Sequence, residues 1–309
     1  MDIWIAISGL VVGMIIGTTG MGGGIIMTPL LLFGFGVSPA VVVGTDLIFA
    51  SVTKSFGAWQ HWRQRTIDFN LILRVAIGSI PGTLTGLLLL LFIKQGNQTD
   101  LNLFITKSIS VAFILISIVM LLKLAVRKKS IYDGSKQVNT GILISIGFLT
   151  GLLVAITSVG SGTLFIALLL WLYPYKSSTL VGTDILHGVL ITGVAGLAHS
   201  FLGTIDYVLL LQLLIGSIPG VLIGSRITVK VPDLYIRILL ITMMLVSSFI
   251  LLFRWSYFLS FSYWSQLRLK KKIKVKVHLY LFLCIYIISV KVIEAYHLQL
   301  FQSPIPQVW

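Results

Sequence analysis

The chain is poor in charged residues and in cysteine. Only 10% of its 309 residues are charged, whereas a soluble protein carries about 25%. The single cysteine, Cys284, excludes an internal disulfide and leaves no cysteine-based metal site. Residues 1–253 contain no glutamate and no nucleophile–base motif, so we expect neither an enzyme nor a bound cofactor or metal. The glycines are not followed by Lys-Ser or Lys-Thr, which excludes a nucleotide-binding loop.

Hydrophobic residues make up 57% of the chain, and its mean hydropathy is +1.02. Apolar segments of the length needed to span a bilayer recur along it, without the alternation of barrel strands. The sequence therefore predicts an all-α, polytopic membrane protein that is embedded in the lipid bilayer and has about eight hydrophobic segments. In residues 1–253 the net positive charge lies mostly in short loops, which favours membrane orientation by positive loops over a nucleic-acid partner.

The chain contains an internal repeat, because residues 9–86 align without a gap on residues 147–224, so that Gly9 falls on Gly147 at an offset of 138. The motifs VGTD, TID and GSIPG occur in both copies. We assign residues 1–126 to a first transmembrane repeat, 127–139 to a basic loop, 140–253 to a second repeat, and 254–309 to a basic, aromatic tail without an assigned function.

A glycine-rich stretch interrupts the first apolar segment of each repeat. Ile3–Gly17 and Ile25–Phe35 flank the first interruption, and each is too short to span a membrane comfortably. The interruptions predict broken or re-entrant helices, which are typical of repeat transporters. If Arg63, Arg127 and Arg226 all lie inside, the two repeats must be inverted, and Lys94 and the tail then lie outside.

Several motifs resemble those of the sulfite exporter TauE/SafE family of bacterial membrane transporters. The matching segments are GTTGMGGG (Gly17–Gly24), VGTDL (Val43–Leu47), Ser55–Phe69, GSIPG (Gly78–Gly82), TSVGSGT (Thr157–Thr163), Val181–Thr192 and Gly216–Ile227. The resemblance covers about residues 5–252. It implies a multi-pass permease of the bacterial inner membrane, with two related halves, that exports small sulfur-containing anions such as sulfite or sulfonates. The tail departs from the family pattern.

The glycine-rich breaks are candidate substrate-binding segments. A break frees backbone N–H groups and presents a helix N-terminus, where the helix dipole favours an anion, and neighbouring hydroxyl groups add donors. Small residues at these positions also serve close helix packing, which is the alternative interpretation. The candidate residues are Thr18, Thr19, Gly20, Gly22, Gly23, Gly24, Thr157, Ser158, Gly160, Ser161, Gly162 and Thr163.

Asp46 and Asp184 occupy equivalent positions in the repeats, each within an apolar helix. A carboxylate inside the membrane is costly and is a functional candidate by default. We expect these two to bind H⁺ or Na⁺ for coupling or gating, or else to cap their helices near the membrane surface.

His187 and Lys54 have no counterparts of the same type, because Phe49 and Thr192 stand at the equivalent positions. His187 lies three residues after Asp184 and either relays protons with it or is held by a neighbouring helix. Lys54 either pairs with Asp46, adds positive charge to an anion path, or extends its ammonium group to the membrane surface.

The conserved spacing of His61 with Asp68, and of His199 with Asp206, predicts a turn of the same geometry in both repeats, with a capped helix after it. The GSIPG motifs predict close helix packing.

Taken together, these patterns favour a secondary transporter that moves a small anion by alternating access between its two halves. An ion channel with two re-entrant glycine-rich loops is the alternative function.

Overall fold

The computed structural model describes residues 3–19, 23–125, 139–162, 164–165, 168–169, 177–227 and 233–253. The predicted tail, most of the basic loop, and the candidate residues Gly20, Gly22 and Thr163 lie outside these ranges. For Thr18 and Thr19 only the helical backbone is described.

The described residues form helices and contain no strand, which confirms the predicted all-α fold. The helices are α1 (Ile3–Thr19), α2 (Gly24–Pro29), a π-helical segment (Leu30–Gly34), α3 (Pro39–Arg63), α4 (Phe69–Lys94), α5 (Gln98–Ala125), α6 (Thr140–Thr157), α7 (Ser177–Phe201), α8 (Tyr207–Ile227) and α9 (Asp233–Phe253).

Five of the described helices, α3 to α7, are long and apolar enough to cross a membrane. The other apolar helices of the described residues are shorter, so the predicted eight full spans are not confirmed. Five such spans are those of a multi-pass membrane protein.

Local sequence explains where the long helices begin. α3 begins at Pro39, whose fixed φ suits the first helical position. α4 follows Asp68, whose carboxylate accepts a hydrogen bond from the backbone N–H of Leu71 at 3.0 Å. α6 follows Asn139, whose side-chain oxygen accepts one from Gly141 at 2.9 Å.

Both glycine-rich stretches interrupt helices at the positions that the sequence indicates. α1 ends at Thr19, and α2 begins at Gly24 and passes after Pro29 into the π-helical segment. α6 ends at Thr157, where Ser158 takes a left-handed backbone conformation (φ 59°) and Gly160 follows with φ 105°. The second break is therefore held by two residues in conformations that L-residues rarely adopt.

The GSIPG motifs bring pairs of helices from different repeats into close contact. A Cβ atom added to Gly78 of α4 would collide with the carbonyl oxygen of Ile144 in α6. At the equivalent position, a Cβ on Gly216 of α8 would collide with the carbonyl oxygen of Ala6 in α1. The motif therefore serves backbone-to-backbone helix packing, as predicted.

Helices α3 and α7 pack against each other in opposite directions. Gly57, late in α3, lies beside Ile185, early in α7, and Gly196, late in α7, lies beside Ile48. Between these contacts, the hydroxyl of Ser51 donates to the carbonyl oxygen of Val189 at 3.4 Å. Position 189 is the repeat counterpart of position 51, so the two helices cross at equivalent points.

The same kind of self-equivalent contact joins α5 and α9. The hydroxyl of Ser248 donates to the carbonyl oxygen of Ser110 at 3.0 Å, and these residues are again 138 positions apart. In both contacts, a residue of the first repeat meets the residue at the equivalent position of the second repeat.

Candidate functional site

The glycine and threonine of each VGTD motif bind the TID turn of the other repeat. Thr45 Oγ1 accepts a hydrogen bond from the backbone N–H of Asp206 at 3.1 Å. Thr183 Oγ1 accepts the equivalent bond from Asp68 at 3.0 Å. Gly44 and Gly182 allow the approach, because a Cβ at either position would press on the turn backbone. These contacts fix α3 and α7, and they do not involve the aspartate side chain of either motif.

The turns themselves have the shared geometry that the sequence predicts. His61 Nδ1 lies 2.9 Å from Thr66 Oγ1, and His199 Nδ1 lies 2.9 Å from Thr204 Oγ1. Asp206, like Asp68, caps the helix that follows it. The two histidines therefore have a structural role in their turns.

Asp46 is fully buried and is the eighth residue of α3. Because the helix begins two turns earlier, at Pro39, the helix-capping alternative for this residue does not hold. Asp46 Oδ2 accepts a hydrogen bond from the hydroxyl of Ser158, in the second break, at 2.7 Å. That hydroxyl also lies 3.3 Å from the hydroxyl of Thr28. Among the residues that the structure describes, Oδ1 of Asp46 has no hydrogen-bond partner.

Asp184 is equally buried, but among the described residues neither of its carboxylate oxygens has a hydrogen-bond partner. In the sequence repeat, the counterpart of Ser158 is Gly20, which has no hydroxyl group. Within the described part of the chain the two equivalent aspartates therefore differ, because Asp46 is bonded to the second break and Asp184 has no such bond.

Lys54 crosses from α3 to the second break. Its side chain is only 4% exposed, so the alternative in which it extends to the membrane surface does not hold. Nζ donates to the hydroxyl of Ser161 at 2.7 Å and to its carbonyl oxygen at 3.1 Å. The ammonium lies beside Gly188 of α7, where a Cβ would collide with it. It interacts electrostatically with both Asp46 and Asp184.

His187 is held by a neighbouring helix, one of the two alternatives that the sequence left open. Its Nε2 lies 2.9 Å from the hydroxyl of Ser79 in α4, and its ring stacks on Phe165 at 4.8 Å between centroids. Among the described residues its Nδ1 is buried without a partner. Ser79 and Phe165 thus fix the orientation of the ring.

The structure brings the second break together with residues of both repeats. Ser158 and Ser161 bind side chains of α3, and Thr157 Oγ1 donates to the carbonyl oxygen of Leu153 at 2.6 Å. From the first break, Gly24 lies against the carbonyl oxygen of Ser158. Gly23, Gly160 and Gly162 are also buried. The two breaks therefore meet beside Asp46.

The helix-dipole argument for anion binding is weaker than the sequence suggested. α2, the helix after the first break, has six residues before the backbone becomes π-helical. So short a helix sums few peptide dipoles at its N-terminus. The stronger attraction for an anion in the described residues comes from the ammonium group of Lys54.

Sequence reasoning missed four contributors to this centre. Ser79 could have been found, because it lies in a GSIPG motif and recurs as Ser217. Thr28, Phe165 and Gly188 carry no such signal, since their roles come from contacts between distant helices. In the described residues no group of three or more His, Cys, Asp or Glu side chains could hold a metal ion.

Comparison with known proteins gives consistent results. The family model described as Sulfite exporter TauE/SafE matches residues 5–251. The chain is 36% identical over 251 residues to the "Probable membrane transporter protein YjnA" of Bacillus subtilis, covering 80% of this chain and 98% of that protein. It is 26% identical to the "Probable membrane transporter protein YunE" of the same organism, covering 73% of this chain and 88% of that protein.

A more distant relative comes from an archaeon. The chain is 25% identical to the "Probable membrane transporter protein MJ0441" of Methanocaldococcus jannaschii, covering 76% of this chain and 89% of that protein. No solved structure matches the chain. The names of these relatives indicate membrane transporters rather than enzymes.

Proposed function

The chain belongs to the sulfite exporter TauE/SafE family of membrane transporters, and we propose that it is a secondary transporter of small anions, in particular sulfite, sulfonates or related sulfur compounds. Its place is the bacterial inner membrane. The observation that carries the proposal is the buried ammonium group of Lys54 at the second glycine-rich break, beside two buried carboxylates.

Lys54 is suited to bind an anion. An ammonium group has three donors, and its two hydrogen bonds within the described residues go to neutral groups of Ser161. No ion pair links it to Asp46 or Asp184 in the described part of the chain. A small oxyanion near Nζ would gain a charge-assisted hydrogen bond in a site of low polarity, where such a bond is strong.

The buried charges of the centre explain why transport should be coupled to a cation. In the described residues the buried charged side chains are Lys54, Asp46 and Asp184, which sum to −1 when all are ionised. An anion added to that set would be repelled. Neutralising both carboxylates with H⁺ or Na⁺ raises the sum to +1, and a monovalent anion then brings it to zero. We therefore propose two coupling cations for each monovalent anion.

The proposed transport cycle is alternating access between inverted halves. The antiparallel crossing of α3 and α7 supports inversion, because helices related by an axis along the membrane normal would run in the same direction. The broken segments of both halves meet at this crossing region, beside Asp46. Rocking of one half against the other would expose the site to each side in turn.

The test is flux of candidate anions into proteoliposomes that contain the purified chain. Sulfite, sulfate, thiosulfate, sulfoacetate and taurine form the panel. A transporter gives saturable flux that follows an imposed H⁺ or Na⁺ gradient, whereas a channel gives non-saturating flux down the anion gradient alone.

The matched variants are Lys54→Thr, which copies the counterpart Thr192, and Arg74→Gln, which changes an exposed arginine of α4. We expect Lys54→Thr to lower flux at least tenfold, about 1.4 kcal/mol, and Arg74→Gln to leave it unchanged. Full flux in folded Lys54→Thr protein would refute the proposed site.

A further inference from the structure

The turn between α3 and α4 forms a second feature that the transport site does not use. A cavity of about 530 Å³ opens there, within the range of about 300–1,000 Å³ that ligand pockets have. Its lining is aromatic and basic: Trp59, Trp62, Arg63, Arg65, Ile67 and Phe69.

The cavity lies where the chain leaves one candidate span and begins the next. The spans end at Arg63 and begin at Phe69, so the turn lies at the boundary between hydrocarbon and water. Trp59, Trp62 and Phe69 are 58%, 63% and 57% exposed. Large exposed aromatic rings beside arginines are typical of the headgroup level of a bilayer.

The two arginines are available for a ligand. Arg63 lies over the ring of Trp59, with 5.3 Å between its guanidinium carbon and the ring centroid. This contact orients the guanidinium group without neutralising it. Within the described residues neither Arg63 nor Arg65 forms an ion pair. The cavity therefore presents two positive, planar groups that match a phosphate by paired hydrogen bonds.

The backbone of Arg65 gives an independent indication. Arg65 adopts φ 53°, a left-handed conformation, and its counterpart in the second repeat is Gly203, with φ 62°. Glycine adopts this conformation without strain, whereas arginine does not. The first repeat thus keeps a charged side chain at a position where the same turn elsewhere uses glycine. A residue held in a strained backbone conformation points to a role for its side chain.

The second repeat has the same turn without the same chemistry. Its residues at the positions of Trp59, Trp62 and Arg63 are Leu197, Ser200 and Phe201. The basic, aromatic cavity therefore belongs to one end of the protein, and the hydrogen bonds that shape the turn do not require it.

We propose that the α3–α4 turn is a binding site for the headgroup of an anionic phospholipid, with Arg63 and Arg65 on the phosphate and Trp59, Trp62 and Phe69 against the glycerol and upper acyl chains. A basic pocket at the end of a membrane helix is suited to such headgroups. The site is independent of the transported substrate.

The test is native mass spectrometry of the full chain in detergent, with phosphatidylglycerol or phosphatidylcholine added. We expect the wild type to retain at least one more molecule of phosphatidylglycerol than of phosphatidylcholine. The double variant Arg63→Gln/Arg65→Gly should lose that difference, while Arg74→Gln should keep it. Because Gly203 forms the equivalent turn, the Arg65→Gly change leaves the fold intact.

Three outcomes would overturn the proposal. The first is equal retention of both lipids by the wild type, and the second is unchanged retention by the folded double variant. The third is a rise in the melting temperature with millimolar inorganic phosphate as large as that with phosphatidylglycerol, which would make the ligand a free anion. A rise in melting temperature that is specific to phosphatidylglycerol and absent from the double variant supports the site. This result does not depend on the flux measurements.

Discussion

At the residue scale, the site around Lys54, Asp46 and Asp184 is asymmetric because equivalent positions of the two repeats carry different residues. Ser158 donates a hydrogen bond to Asp46, whereas Asp184 has no hydrogen-bond partner among the described residues. In the sequence, the counterpart of Ser158 is Gly20, which has no hydroxyl group. An unpartnered buried carboxylate is costly unless it is neutralised. Of the two proposed cation sites, Asp184 is therefore the stronger candidate, because Asp46 also holds the second break through Ser158.

This difference predicts how the two aspartates respond to neutralisation. Asp184→Asn removes a buried charge that has no partner among the described residues, so the melting temperature should stay level or rise. One of the two proposed coupling cations is then lost, so flux should depend less steeply on the H⁺ or Na⁺ gradient. Ser158→Ala leaves Asp46 without its donor and should cost about 1–3 kcal/mol of stability. Thermal unfolding in detergent and gradient-driven flux measure both. Unchanged coupling in Asp184→Asn and Asp46→Asn would remove the coupling role.

A second prediction concerns the space beside Lys54. Gly188→Ala places a Cβ against Nζ of Lys54, so we expect about 1–3 kcal/mol of destabilisation and lower flux. In the Lys54→Thr background the same change should cost almost nothing, because the counterpart pair is Ala50 with Thr192. Melting temperatures of the four proteins form a double-mutant cycle. Equal costs in both backgrounds would show that the side chains do not touch.

At the element scale, the helix pairs α1–α8 and α4–α6 depend on glycines that admit a neighbouring backbone. Gly78→Ala and Gly216→Ala each press on a carbonyl oxygen that cannot rotate away, so each should destabilise by at least about 3 kcal/mol. Gly57→Ala is the matched control, since its Cβ would meet only the flexible side chain of Ile185. Tolerance of Gly78→Ala would contradict the close packing of α4 on α6.

The elements were largely predictable, and the contacts between them were not. The predicted apolar stretch Ile3–Gly17, for example, differs only at its end from α1 (Ile3–Thr19). The repeat also predicted the shared turns. The bonds from Lys54 to Ser161 and from His187 to Ser79 join residues more than 100 positions apart. The repeat gives no signal for these two contacts, since Lys54 and His187 are replaced by Thr192 and Phe49 at the equivalent positions.

At the scale of the whole molecule, the antiparallel crossing of α3 and α7 makes a topological prediction. Arg63 and Phe201 are the last residues of these helices, are equivalent in the repeat, and are both exposed. In a Cys284→Ser background, Arg63→Cys and Phe201→Cys should react with a membrane-impermeant maleimide from opposite faces of the membrane. Labelling of both from the same face would mean that the halves are parallel.

The contact of Ser51 with Val189 has a consequence for ancestry. If the two halves were identical, separate chains in the same arrangement, a lysine would occupy both position 54 and its counterpart. Two ammonium groups would then lie at the crossing of α3 and α7. Joining the halves in one chain lets Thr192 replace the second lysine, so that the centre carries a single positive charge. Covalent linkage thus makes possible a binding centre that a symmetric dimer of identical copies cannot build.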